Sequence, residues 1–111
     1  MRQEKVEPEM IAQRDEFIRL VCDELNVPAI DVMSKKRDAR TSMARHIIMW
    51  AMHRYSTASS MQIGCLMGRD HASVLYGIGA VESNMLMPYH KELRKVVEHV
   101  KAKGEVLQCA G

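Results

Sequence analysis

Aromatic side chains are scarce in this chain: one Trp, one Phe and three Tyr among 111 residues. Aliphatic side chains and ten methionines must therefore fill any core, the thioethers taking up irregular gaps. Cysteine is scarce as well. Cys22, Cys65 and Cys109 are an odd number set far apart, which fits neither a disulfide framework nor a zinc site. They read as small apolar side chains or free thiols. No apolar run is long; the longest, residues 47–52, falls far short of the roughly 20 residues that span a bilayer. The N-terminal residues lack the apolar stretch of a signal peptide, so a reducing cytoplasm is expected. No alternating β-branched pattern, internal repeat or low-complexity tract is present. Nothing matches GxxxxGK[ST], the loop that cradles nucleotide phosphates. The length suits one core and excludes a complete ATPase, a Rossmann enzyme or a TIM barrel.

What is present is an uneven charge pattern. The net charge of +2 conceals it. Residues 1–33 carry four basic and eight acidic side chains, whereas residues 34–54 carry six basic and one acidic. A short basic stretch beside neutral and acidic neighbours is the footprint expected for a polyanion, although an ordinary solvated loop has the same composition.

Periodicity predicts helices nearly throughout, an all-α bundle. Residues 1–8 read as a flexible lead-in, 9–104 as the folded domain and 105–111 as a loose tail. Met10, Phe17, Ile18, Val21, Cys22 and Leu25 form a one-sided stripe on a first helix. Asn26-Val27-Pro28 ends it, and Pro28 suits the first turn of a short helix reaching Met33. Residues 34–40 read as a basic loop. A longer helix is expected over about 41–55, with Trp50 off its apolar centre and packing against another element. Residues 56–60 are rich in N-cap types. A short helix over 61–67, a break at Gly68-Arg69, and a helix capped by Asp70 follow. The inner face of that last helix is expected to be Val74, Leu75, Ile78, Val81 and Met85. Pro88 is expected to separate it from a final helix whose C-cap is Gly104.

A short helix, a tight glycine turn and a longer helix have the shape of a helix-turn-helix. In that motif the start of the second helix meets base edges in the major groove. Asp70, His71, Ala72 and Ser73 hold that place. A carboxylate accepts from the cytosine amino group, a small methyl touches that of thymine, and Ser and His offer hydrogen bonds. Asp70 also caps the helix, which does not forbid base contact.

Read together, Ser34-Lys35-Lys36-Arg37, Ala44-Arg45, Ile63-Gly64 and Gly68-Arg69-Asp70-His71-Ala72-Ser73-Val74-Leu75 closely resemble the C-terminal duplex-binding domain of the bacterial replication initiator DnaA. The likeness covers about residues 9–100. It implies an all-α bundle with a helix-turn-helix that recognises the DnaA box. It implies base readout by Asp70, His71 and Ala72, with Ser73 beside them, and a minor-groove contact by Arg37. It implies phosphate contacts by Arg45, Lys35 and Lys36. Thr57, Ser59 and Arg69 fall in segments that lie near the backbone in relatives. The physics is compatible: an arginine favours a narrow A·T-rich minor groove, and lysines neutralise phosphates without reading sequence.

Departures from the family pattern are visible. Ala72-Ser73 replaces a pair of hydroxyl residues. Only Gly68 precedes the arginine where relatives often have two glycines, and Gly77, Gly79 and Ala80 replace bulkier or basic residues. The nucleotide-binding part of the initiator is not in this sequence. The expectation is a DnaA-box binder without the ATPase, monomeric, located on a bacterial nucleoid or encoded by a phage. Its partner would be double-stranded DNA, and it would compete with a full-length initiator or regulate replication or transcription. No cofactor, metal, membrane or enzymatic activity is expected. His46 and His53 share a helix face, but no third ligand completes a metal set. The competing reading is a protein-interaction module that docks a basic partner on the acidic first helix or forms a dimer through it.

Overall fold

The computed structural model describes residues 5–85 and 90–110, with only the backbone for the last three. Six helices follow in order: α1 (Pro8–Leu25), α2 (Ala29–Val32), α3 (Ala39–Tyr55), α4 (Ser60–Met67), α5 (His71–Asn84) and α6 (Lys91–Ala110). No strand occurs among the described residues. The fold is all-α, as the periodicity predicts.

Helix α3 is the axis, and every other helix packs against it. This explains why its apolar residues do not form a clean stripe. Ala44, Ile47, Ile48, Met49, Trp50, Ala51 and Met52 are all buried, so apolar side chains surround most of the helix. Trp50 is buried and meets the Tyr55 ring of the same helix edge-on at 6.0 Å. Phe17 of α1, Val81 of α5 and Val97 of α6 close the same core. Methionines 10, 49, 52 and 67 take the place of missing aromatics.

Local signals set most helix ends. Asn26 adopts φ 59°, and the backbone N–H groups of Asn26 and Val27 satisfy the Cys22 carbonyl, which terminates α1. Helix α3 begins two residues earlier than expected, because the Asp38 carboxylate accepts from the Thr41 N–H at 3.1 Å. Arg40 therefore belongs to α3. Its guanidinium binds the Leu25 carbonyl and Glu92, tying α1, α3 and α6 together.

Two expectations need correction. Leu75 is 49% exposed and does not belong to the inner face of α5. Gly104 is not a C-cap: α6 runs through it to Ala110, and a Cβ there would strike the Tyr55 ring. A glycine at that point lets α6 approach α3. Residues 105–110 are therefore helical. The expected break at Pro88 lies outside the described residues. Near the N-terminus, the Lys5 carbonyl accepts from Gln62, and Val6 packs against the core.

Candidate nucleic-acid interface

Helices α4 and α5 are joined by a turn whose shape is dictated residue by residue. Ser59 and Gln62 cap the start of α4 reciprocally, each side chain binding the other's backbone N–H. At the far end Gly68 adopts φ 64°, and the Arg69 N–H reaches back to the Gly64 carbonyl at 2.8 Å. The turn thereby folds over Gly64, where an added Cβ would lie 2.6 Å from the Arg69 carbonyl oxygen. Asp70 then opens α5 by accepting from the Ser73 N–H at 2.8 Å.

The tip so formed is exposed: Asp70, His71, Ala72 and Ser73 all face solvent. The bond from Ser73 holds the Asp70 carboxyl below the usual carboxylate range. At neutral pH it is an anion with only accepting lone pairs. His71 Nδ1 lies 3.0 Å from Ser60 Oγ, so α4 orients the imidazole and its other nitrogen remains for a ligand. Ser60 was not legible as a partner, because it is eleven positions away in sequence.

The basic loop, residues 34–37, packs beside this tip. Ser34 Oγ donates to the Asp31 carbonyl and accepts from the Lys36 N–H. Lys36 Nζ bonds Asp31 at 3.2 Å. Lys35 and Arg37 are exposed. An open cleft of about 910 Å³ lies between loop and helix. Lys35 and Arg37 of the loop line it, with Ser42, Arg45, His46 and Met49 of α3, Arg69 and Asp70 of the turn, and Ala72, Ser73 and Tyr76 of α5; His71 is not among the lining residues. His46 and Tyr76 meet edge to face at 5.8 Å. Burial, then the Arg45 charge, lower the His46 pKa, so it is neutral at pH 7.

Ser42, His46 and Tyr76 were missed in the sequence. Tyr76 had a signal: it stands three and four positions after Ser73 and Ala72, hence on their face of the helix. The two histidines on α3 part company, with His53 exposed and His46 in the cleft. Among the described residues no group of three His, Cys, Asp or Glu could hold a metal ion.

Arg45 and Arg69 differ most from expectation. Neither is a free surface cation. Arg45 is 6% exposed, and its Nε and Nη2 donate to the carbonyls of Val32, Asp31, Ser34 and Lys36 at 2.9–3.2 Å. Arg69 Nη2 donates to the Ser34 carbonyl as well. Both guanidiniums grip the basic loop from beneath. The two cations share the Ser34 carbonyl; burial, then the Arg69 charge, lower the Arg45 pKa from the ordinary arginine value. Thr57 and Ser59 lie at the entry to α4, outside the cleft lining. The Ser59 oxygen is engaged as a cap.

Comparison with known proteins gives a consistent answer. The family described as "Bacterial dnaA protein helix-turn-helix" matches residues 15–81, which is more than half of the chain. The chain is similar to the chromosomal replication initiator protein DnaA of Gloeobacter violaceus, 39% identical over 71 residues. That match covers 63% of this chain and 16% of the relative. The DnaA of a Jannaschia species is 31% identical over 72 residues, 64% of this chain and 15% of the relative. The DnaA of Aliarcobacter butzleri is 27% identical over 89 residues, 79% of this chain and 20% of the relative. The chain thus spans a fifth or less of these relatives' length.

Proposed function

The chain belongs to the bacterial DnaA helix-turn-helix family, a family of DNA-binding domains, and from that premise we propose that it binds DnaA-box-like duplex sites. The start of α5 enters the major groove, where Asp70, His71, Ala72 and Ser73 meet base edges. Arg37 enters the adjacent minor groove, and Lys35 and Lys36 neutralise phosphates. The biological role proposed is in replication initiation or its regulation, by occupying boxes that a full-length initiator would also occupy.

The observation that carries this reading is the shared cleft. Arg37 comes from the loop before α3 and Ala72 from the start of α5, yet both line one open channel. The acidic-helix alternative is weakened by the same coordinates. Asp15 pairs with Arg14, Glu16 with Arg19 and Lys103, Glu24 with His99, and Asp31 with Lys36. Lys36 and Lys103 come from outside residues 1–33, so part of that segment's excess of negative charge is met within the molecule.

A gel-shift titration against box and scrambled duplexes tests the proposal. Wild type should prefer the box, with a log–log salt slope of roughly −4 to −5 if about five phosphates are neutralised. Arg37→Ala and His71→Ala should each lose box preference, while Lys35→Ala weakens all duplexes alike. Equal binding of box and scrambled DNA by the wild type at moderate salt would refute it.

A further inference from the structure

Why would a DNA-binding surface bury one arginine and fold back another beside its ligand channel? Both cations turn their donors toward backbone carbonyls of their own chain. Arg45, from α3, meets four carbonyls spread over residues 31–36. Arg69, from the turn before α5, meets one of these four, that of Ser34. The Ser34 carbonyl is thus shared between a donor from α3 and a donor from the helix-turn-helix turn. Arg37 stands only three residues beyond it.

We propose that Arg45 and Arg69 are positioning residues that clamp the basic loop onto the helix-turn-helix turn, so that the two groove-reading elements act as one rigid unit. This rests on the reading above for its DNA consequence, but not for its structural content. A loop of four residues with three exposed cations has no apolar anchor of its own. Three donated hydrogen bonds supply one, and two more from Arg45 hold the end of α2 that leads into it. Arg45 is suited to this because a guanidinium presents several donors in a fixed fork, which an ammonium does not. The Gly64 contact serves the same end. It fixes the Arg69 backbone, and with it the origin of the Arg69 side chain.

Two measurements test the clamp, the first without DNA. Amide hydrogen exchange at Ser34 and Lys36, whose N–H groups bond the Asp31 carbonyl and the Ser34 hydroxyl, should accelerate at least tenfold in Arg69→Gln and in the charge-conserving Arg45→Lys. Helix α6 amides should keep their wild-type rates, which certifies that each variant is folded. Loop protection unchanged in both folded variants overturns the clamp, whatever the DNA result. Should Arg45→Lys unfold, Arg69→Gln alone carries this arm, because Arg69 is half-exposed and makes one inter-element bond.

The second measurement is the salt slope and the box-to-scrambled ratio of Arg69→Gln. A clamp predicts a ratio reduced about tenfold with the salt slope unchanged. It also predicts that adding Arg37→Ala to this variant lowers the ratio by less than a further twofold, since the two residues act as one unit. A phosphate contact predicts instead a slope smaller by about one and a wild-type ratio, and that result overturns the clamp. Wild-type protein without box preference would strike only the function proposed above, leaving the exchange arm to decide the clamp.

Discussion

At the scale of single residues, the glycines of the helix-turn-helix separate cleanly by what surrounds them. Nothing lies within 4 Å of a Cβ added at Gly79, and its φ is not positive. Gly79→Ala should therefore stabilise the fold by about 0.5–1 kcal/mol, the helix-propensity difference, read as an increase in the denaturation midpoint. Gly64→Ala should do the reverse. Its Cβ would meet backbone rather than a flexible side chain, and overpacking of that kind costs about 1–3 kcal/mol. Because the displaced atom belongs to Arg69, box preference should fall along with stability. A Gly64→Ala variant as stable as wild type would show that the turn has room to move. Neither outcome could be read from composition, which counts both residues alike as glycines in helices.

At the scale of elements, α4 matters as a platform as much as α5 matters as a reader. Its capping box, Ser59 with Gln62, fixes its first turn. Ser60 in that turn then holds His71. Ser59→Ala should cost about 1 kcal/mol of stability, measured by urea denaturation. Ser60→Ala should leave stability nearly unchanged but reduce box preference, because the imidazole loses its hydrogen-bonded orientation. An undiminished preference in Ser60→Ala would mean that His71 orients itself on DNA. Helix ends were largely legible beforehand, because caps, prolines and glycines act locally. Asp70, Gly68 and Asn26 all behave as their residue types predict. The start of α3 is masked by the charge of residues 34–40, because Asp38 within that stretch is a cap. Gly104 misleads for the opposite reason. It resembles a cap locally, yet its purpose is set by Tyr55 on another helix.

At the scale of the whole molecule, acidification should weaken the fold in two windows. Burial lowers the His46 pKa from its ordinary 6.5, so the unfolded chain binds that proton first. Stability is then complete above about pH 6.5 and declines as pH falls below it. The carboxyls of Glu16, Asp38, Asp70 and Glu92 are also lowered, by Lys103, Thr41, Ser73 and Arg40 in turn. Their contribution is complete above the ordinary carboxylate range and is lost as pH falls from that range through their lowered folded-state values. Melting midpoints between pH 7.5 and 5.5 should fall less in His46→Gln than in wild type, and equal slopes would place the upper window elsewhere. The sequence by itself determined the helical class, the helix-turn-helix and the exposed tip at Asp70–Ser73, because periodicity, caps and a contiguous motif are encoded by neighbours along the chain. Only the tertiary structure decided that Arg45 and Arg69 turn inward to hold a loop, that Leu75 faces outward, and that His46 and Tyr76 line the channel. The cause is common to all of these: a side chain's role depends on which carbonyls, rings and charges other helices bring to it, and one-dimensional spacing carries no record of them.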